Sequence, residues 1–88
     1  KILVGFSAET ENLIENSIKK LNHKYCDIII ANDVSKKETG FNVDYNKVSI
    51  IEKNGQIENL ARNKKSYIAS RIAKKIIDKF LINDKNTN

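Results

Sequence analysis

The stretch that decides the fold is KILVGFSAETENLIENSIKKLNHKYCDIIIANDV, residues 1–34. It begins with an apolar run over residues 1–6, continues with a segment of helical periodicity over residues 10–24, and ends with a second apolar run over residues 27–32. Both runs are apolar on both faces, which is typical of parallel strands that helices cover on each side. The stretch therefore predicts a right-handed βαβ unit.

The carboxyl ends of these two strands are the expected place for a ligand, as in other open α/β sheets. They carry FSAE at residues 6–9 and NDV at residues 32–34. The first turn lacks the three glycines of a dinucleotide fingerprint. Thr10 is the expected N-cap of the helix, and the flanking Glu9 and Glu11 would repel a phosphate there. A glycine-rich phosphate cradle is therefore not indicated.

The predicted helix over residues 10–24 has an apolar face and a polar stripe. Lys20 and Lys24 lie one turn apart in the stripe. They can form a solvated face or present two ammonium groups to a triphosphate, and the spacing alone favours the solvated face. The apolar residues that should pack on the sheet are Leu13, Ile14, Ile18 and Leu21.

A long polar loop is predicted over residues 34–46, and it contains two aromatic residues, Phe41 and Tyr45. Loops of this length in small domains are usually functional or disordered. The two rings can stack on a ligand, contact a partner, or pack against their own domain. The sequence leaves these alternatives open.

A hairpin and a closing helix complete the chain. Asn-Gly between residues 47–52 and 56–60 predicts a two-residue hairpin on the antiparallel side of the sheet. A helix over residues 64–81, capped by Asn63, should cover the sheet, and residues 82–88 should fray. Its expected apolar face consists of Tyr67, Ile68, Ile72, Ala73, Ile76, Ile77, Phe80 and Leu81.

Together these elements predict the α/β class. The expected architecture is a Rossmann-like three-layer fragment, in which a parallel βαβ unit is followed by a β-hairpin and a C-terminal helix, within one domain over residues 1–81. The chain lacks an initiator methionine and starts inside a strand. We therefore expect it to be the C-terminal part of a longer polypeptide.

The composition restricts the classes of function. The 88 residues carry 16 Lys and Arg against 11 Asp and Glu, a net charge of +5 that suits an anionic partner but also simple solubility. The single Cys26 indicates a buried thiol and a reducing cytoplasm rather than a disulfide. No apolar run reaches membrane-spanning length, and no His or Cys pair has metal-ligand spacing.

Three motifs resemble phosphopantothenate–cysteine ligase, in the order and at the spacing of that family. GFSAET at residues 5–10 resembles its GFAAET, DIIIANDV at residues 27–34 resembles its DLIVANDV, and GFNVDYN at residues 40–46 resembles its GFxSDxN. Ser7 and Val43 depart from the usual alanine and serine. The resemblance covers essentially the whole chain and implies the C-terminal part of the ligase domain of a bifunctional coenzyme A biosynthesis protein.

The resemblance implies a CTP-dependent activity. Members of the family join 4′-phosphopantothenate to cysteine: CTP activates the carboxylate as an acyl-cytidylate, pyrophosphate leaves, and the cysteine amine attacks, with Mg²⁺ assisting at the phosphates. Phe6 matches a nucleotide-contacting aromatic of the family, and Lys20 and Lys24 match two triphosphate-contacting lysines. Asn32 and Asp33 match a family motif at the second strand end, so the resemblance implies that they form a wall of the same site, without a defined role. No residue of this chain is implied as a nucleophile or general base.

The resemblance also implies partners. The N-terminal part of the same polypeptide would carry most of the phosphopantothenate pocket, and the active family member is a homodimer, so the chain alone is expected to be inactive. Neither a nucleic acid nor a membrane is an expected partner. Two alternatives nevertheless stay open: a small basic nucleic-acid-binding module and an assembly domain with the polar loop as its interface. The preference for CTP or ATP also stays open.

Overall fold

The computed structural model describes residues 1–34 and 45–86. It contains a four-stranded sheet between two helices and a separate two-stranded ladder. The strands are β1 (Val4–Glu9), β2 (Ile28–Asp33), β3 (Tyr45–Asn46), β4 (Val48–Glu52), β5 (Ile57–Asn59) and β6 (Asn63–Lys64), and the helices are α1 (Leu13–His23) and α2 (Lys65–Asn86).

The isoleucine-rich strand β2 has partners on both sides. It pairs in parallel with β1, from Val4↔Ile28 to Glu9↔Asp33, and antiparallel with β4, which pairs in turn with β5. The strand order is therefore β1-β2-β4-β5. This arrangement confirms the predicted α/β class, the parallel βαβ unit, and the hairpin on the antiparallel side.

Each face of the sheet packs a separate core. Consecutive residues of β2 point to opposite faces, so Ile29 packs under α1 while Ile28 and Ile30 pack under α2. The α1 core consists of Leu21, Cys26, Ile29, Ala31 and Ile51. The α2 core consists of Ile28, Ile30, Val48, Ile50, Leu60 and Ile68.

Strand β1 begins and ends later than predicted. It runs Val4–Glu9 rather than over residues 1–6, so the stretch expected to form a turn is the carboxyl half of the strand. The ladder with β2 explains the difference, because it continues in register to Glu9↔Asp33 and gives hydrogen-bond partners to backbone groups that a turn would leave open.

Helix α1 begins at Leu13 rather than at residue 10. The predicted N-cap, Thr10, is wrong: Asn12 occupies that position in the left-handed conformation (φ 48°), without a side-chain cap hydrogen bond. Ile18, predicted to pack on the sheet, is exposed, and Ser17 is fully buried instead. A serine at this position is small enough to let α1 lie close to β1.

The hairpin between β4 and β5 has a three-residue loop rather than the predicted two-residue loop. The backbone N–H of Glu52 donates to the carbonyl of Gln56 at 2.9 Å, which leaves Lys53, Asn54 and Gly55 between the paired residues. Gly55 has a φ of 96°, the positive value that the last residue of such a loop requires.

Helix α2 is longer and less buried than predicted. It continues to Asn86, where the sequence indicated a frayed tail from residue 82, and Asn63 lies in β6 rather than capping the helix. Only Ile68 of the predicted apolar face is buried, with Ile72 and Ile76 packed partly against the core. The helix spans about 33 Å at 1.5 Å per residue, so its last turns extend beyond four short strands. The exposed members of the predicted face are Tyr67, Ala73, Ile77, Phe80 and Leu81.

Ion pairs also hold α2 on the hairpin, on the same turns as Ile72 and Ile76. Arg71 Nη2 donates to Glu58 Oε2 at 2.7 Å, and Lys75 Nζ lies 3.3 Å from the other oxygen of Glu58. Glu52 is only 7% exposed, and its two oxygens lie 3.7 Å from Lys75 and 3.6 Å from Lys79. A buried carboxylate is tolerated when it is paired in this way.

Neither helix of the described part is long and apolar enough to cross a membrane.

The Glu58–Arg71 pair predicts a pH dependence of stability. The Arg71 hydrogen bond lowers the pKa of Glu58 more than desolvation raises it, with Lys75 adding to the decrease. Because the folded pKa lies below the unfolded one, the stabilisation is complete above about pH 4.3 and is lost as the pH falls through the lowered value. Urea unfolding should therefore show a larger loss of stability on acidification for wild type than for Glu58→Gln. Equal losses would contradict this expectation.

Gly5 brings β1 close to the cysteine in the α1 core. A Cβ atom at this position would lie 2.8 Å from Cys26 Sγ. Gly5→Ala is therefore expected to lower the free energy of unfolding by about 1–3 kcal/mol. The same substitution should cost much less in a Cys26→Ala background, which lacks the sulfur. Urea unfolding of the four proteins measures both costs, and equal costs would rule out the sulfur contact as the cause.

Candidate functional site

Polar residues lie on both sides of the sheet where β1 and β2 end. The register places Ala8 beside Asn32 and Glu9 beside Asp33. Because side chains alternate along a strand, Ala8 and Asn32 lie on the α2 side and Glu9 on the α1 side. This edge of the sheet therefore has two faces with different chemistry.

A pocket of about 360 Å³ opens on the α2 side of this edge. We call it the Phe6 pocket. None of the described residues that line it is charged, and its size is at the lower end of small-molecule sites, so this lining suits an uncharged ring or a short uncharged chain. Its lining residues are Phe6, Ser7, Ala8, Ile30, Asn32, Asn46, Val48, Ile68 and Ile72.

Two residues indicate that the Phe6 pocket can bind a ligand. The ring of Phe6 is 70% exposed, although the next residue Ser7 and the paired Ile30 of β2 are buried. The side-chain oxygen Oδ1 of Asn32 is buried and receives no hydrogen bond from the described residues. Leaving a buried acceptor without a donor costs about 1–3 kcal/mol. A ligand with an N–H or O–H group in the pocket would remove that cost.

On the α1 side, two hydrogen bonds join the helix to β1. Lys20 Nζ donates to Glu9 Oε2 at 2.5 Å, and the Oγ atoms of Ser7 and Ser17 share a hydrogen bond at 2.8 Å. Both serines are buried. The two contacts hold α1 against the carboxyl half of β1 and so fix the place of Lys20.

Lys24 lies one turn beyond Lys20, at the C-cap of α1. Since α1 runs back between two parallel strands, Lys24 is nearer to their amino ends than Lys20 is. Its side chain is exposed and its ammonium group contacts no carboxylate among the described residues. The two lysines thus differ in that Lys20 has an internal counterion.

Asp33 extends this edge on the side of β4. Its Oδ2 atom lies 3.9 Å from Lys47 Nζ. The carboxylates of Glu9 and Asp33 are thus neighbours in the ladder, and each is close to a lysine. Within residues 1–34 and 45–86, no group of three His, Cys, Asp or Glu side chains could hold a metal ion.

One aromatic residue of the predicted loop, Tyr45, lies in a strand, and the other, Phe41, lies outside the described residues. Tyr45 belongs to β3, and the guanidinium of Arg62 lies 4.7 Å from the centre of its ring. One face of that ring is therefore already covered. Phe41 falls in the part that the structure does not describe. A second, polar pocket of about 370 Å³ is lined by Tyr45, Lys64, Lys65 and Ser66.

All five residues predicted to bind the nucleotide are in the described part. Phe6 and Asn32 line the Phe6 pocket, whereas Lys20 lies on the α1 side of the same edge. Asp33 contacts Lys47, and Lys24 lies further along α1. Their role in binding stays a prediction.

Sequence reasoning did not find several residues of this site. Asn46, Ile68 and Ile72 line the Phe6 pocket but come from the ladder strand β3 and from α2. Glu9 was interpreted as a residue that repels phosphate, not as the partner of Lys20. A basic residue on a helix that follows an acidic strand end is too common a pattern to identify such a pair.

Three comparisons relate the chain to known proteins. Residues 1–80 match the family described as DNA/pantothenate metabolism flavoprotein C-terminal domain. The coenzyme A biosynthesis bifunctional protein CoaBC of Bacillus subtilis (strain 168) is 40% identical over 76 residues, which cover 86% of this chain and 19% of that protein. A cysteine/cysteine sulfinic acid decarboxylase from an unknown prokaryotic organism is 34% identical over 77 residues, 88% of this chain and 21% of that protein.

A solved structure supports the same relationship. The crystal structure of the C-terminal domain of CoaBC superposes with a TM-score of 0.72 and 32% sequence identity, covering 96% of this chain and 36% of that chain. The chain thus spans about a fifth of the length of the curated relatives that it matches.

The hydrogen bond between the buried Ser7 and Ser17 allows a test of what holds α1 against β1. Ser17→Ala should lower the free energy of unfolding by about 1–3 kcal/mol, because it leaves the Ser7 hydroxyl buried without a partner. Ser7→Ala combined with Ser17→Ala should recover most of that loss, since neither polar group remains. Urea unfolding of the single and double variants measures the difference. A double variant that is less stable than Ser17→Ala would show that the serines contribute in another way.

Proposed function

Because the chain belongs to the DNA/pantothenate metabolism flavoprotein C-terminal domain family, we propose that it is the nucleotide-binding part of a phosphopantothenate–cysteine ligase. The bifunctional relatives are coenzyme A biosynthesis proteins by name. The chain matches about a fifth of each. The proposed activity therefore belongs to the longer protein and not to this chain by itself.

The proposed reaction has two steps. The carboxylate of 4′-phosphopantothenate attacks the α-phosphorus of CTP, the bond to the β-phosphate breaks, and pyrophosphate leaves with the electron pair. The cysteine amine then attacks the acyl carbon, an amide forms, CMP leaves, and the amine proton passes to solvent. Neither step requires a nucleophile or general base from these residues. Positioning and neutralisation of charge are what the protein must provide.

The Phe6 pocket with the unpartnered Asn32 oxygen is the observation that carries the proposal. The bases of CTP and ATP each bear an exocyclic amino group that can donate to Asn32 Oδ1. Their rings can lie against the exposed ring of Phe6. Uracil lacks that amino group, so UTP should be a poor substitute.

Lys20 and Lys24 are the proposed partners of the triphosphate. A nucleotide with its base in the Phe6 pocket would cross the ends of β1 and β2 to reach the α1 side, where both lysines lie. Their ammonium groups would offset the charge of the phosphates. The described residues form no cage for a metal ion. We therefore assign Mg²⁺ to the triphosphate itself, since this ion commonly binds through substrate phosphates and water.

Further parts are required for the complete site. β1 has a neighbour on one side only among the described strands, so its outer edge can accept another strand. We propose that the remainder of the longer protein adds the pocket for phosphopantothenate and cysteine at this edge. A homodimer in the cytoplasm is the proposed assembly.

Pyrophosphate release by the full-length gene product tests the function. The protein is supplied with 4′-phosphopantothenate and with CTP, ATP or UTP in turn. Release is expected only when phosphopantothenate is present, with CTP or ATP and not with UTP. A folded protein that releases no pyrophosphate with any nucleotide would overturn the proposed ligase activity.

Asn32→Leu separates a binding role from a structural one. The substitution removes the buried unpartnered acceptor, so stability should rise, while the KM for the accepted nucleotide should rise by about 5- to 150-fold, the equivalent of 1–3 kcal/mol. Asn22→Leu, at an exposed position of α1, is the matched control and should leave the KM unchanged. Urea unfolding and steady-state kinetics give the two values. An unchanged KM for Asn32→Leu would contradict the proposed contact.

A further inference from the structure

The ion pair between Glu9 and Lys20 differs from the other lysine contacts of α1. The Glu9 side chain is only 10% exposed, while that of Lys20 is 44% exposed. Lys19 and Glu15 lie 3.6 Å apart, with 71% and 68% of their side chains exposed. Lys20 is therefore the lysine of this helix that is held by a buried carboxylate.

Burial of Glu9 restricts what Lys20 can do. An ammonium group has three hydrogen-bond donors, and Glu9 accepts one of them at 2.5 Å. The other two donors have no acceptor among the described residues, and 44% of the Lys20 side chain is exposed. Since the carboxylate neutralises the ammonium, the pair offers directed N–H groups rather than net positive charge. Lys24 is exposed and has no carboxylate partner within residues 1–34 and 45–86, so it offers net positive charge instead.

We infer that Glu9 is a positioning residue that holds Lys20 toward the leaving pyrophosphate, while Lys24 attracts the triphosphate by charge. The inference rests on the proposed function and assigns different roles in it to Lys20 and Lys24. A mobile cation stabilises the bound nucleotide and the transition state alike. N–H donors that are already fixed act most strongly where charge develops during the reaction, because they need no reorganisation at that moment.

The surroundings of Glu9 support a fixed position. The Ser7–Ser17 hydrogen bond joins the same strand and helix two residues before Glu9 and three before Lys20. Glu9 also lies at the end of an in-register ladder, beside Asp33. Backbone and helix are thus both held at the point where the pair forms, and neither partner depends on a loop.

Steady-state kinetics of the full-length protein tests the inference. Glu9→Gln should lower kcat for pyrophosphate release on the order of tenfold or more, as expected for a misplaced group, with a small change in the KM for CTP. Lys24→Ala should raise that KM with little effect on kcat, and the rise should shrink with added salt. Glu15→Gln, which removes the partner of the neighbouring Lys19, is the matched control and should change neither constant.

Failure of this inference can be distinguished from failure of the proposed function. If Glu9→Gln lowers the KM for CTP and leaves kcat unchanged, Glu9 only repels the nucleotide, and the inference is overturned. The inference is also overturned if Glu9→Gln changes neither constant. If wild type releases no pyrophosphate at all, the proposed function fails. Urea unfolding then tests the pair alone. Lys20→Ala should lower the free energy of unfolding, and adding Glu9→Gln to that variant should restore most of the lost stability. An absence of that rescue would show that the pair does not hold Lys20.

Discussion

The in-register ladder between β1 and β2 fixes the position of every residue in the candidate site. Its pairs run from Val4↔Ile28 to Glu9↔Asp33. A slip of one residue would turn each side chain of the moved strand to the other face, so Phe6 would leave the α2 side or Asn32 would leave the pocket. The isoleucines of β2 prevent such a slip, because both faces of this strand are covered and each face packs its own core.

Two residues of this ladder lack contacts that side chains of their kind usually make, unlike the carboxylate of Glu52. Glu52, buried at the end of β4, has lysines beside both oxygens. Asn32 has a buried oxygen that receives no hydrogen bond from residues 1–34 and 45–86, and Phe6 exposes most of its ring. Local conflicts of this kind are expected where a protein binds a ligand, because the ligand supplies the missing contacts. The Phe6 pocket is therefore the part of the described structure that is best explained by binding.

Helix α2 shows what the periodicity of apolar residues in a sequence can and cannot predict. Its apolar face is broad in the sequence, but only Ile68 is buried, and Arg71 and Lys75 hold the next turns through carboxylates of the hairpin. Periodicity reports which residues share a helix face, but the width of the sheet beneath decides how many of them it covers. Ile77 and Phe80 remain exposed, although Lys79, which lies between them in the chain, still contacts Glu52 of β4.

The sequence by itself determined the α/β class and the parallel βαβ unit whose two strands carry Phe6 and Asn32, because alternation and apolar runs depend on neighbours along the chain. It did not determine where β1 ends, since that depends on pairing with β2. Only the tertiary structure decided that Glu9 binds Lys20 and that Ile68 and Ile72 close the Phe6 pocket. These contacts join residues that are distant in the chain. Their distances follow from strand register and helix placement, which no local pattern encodes.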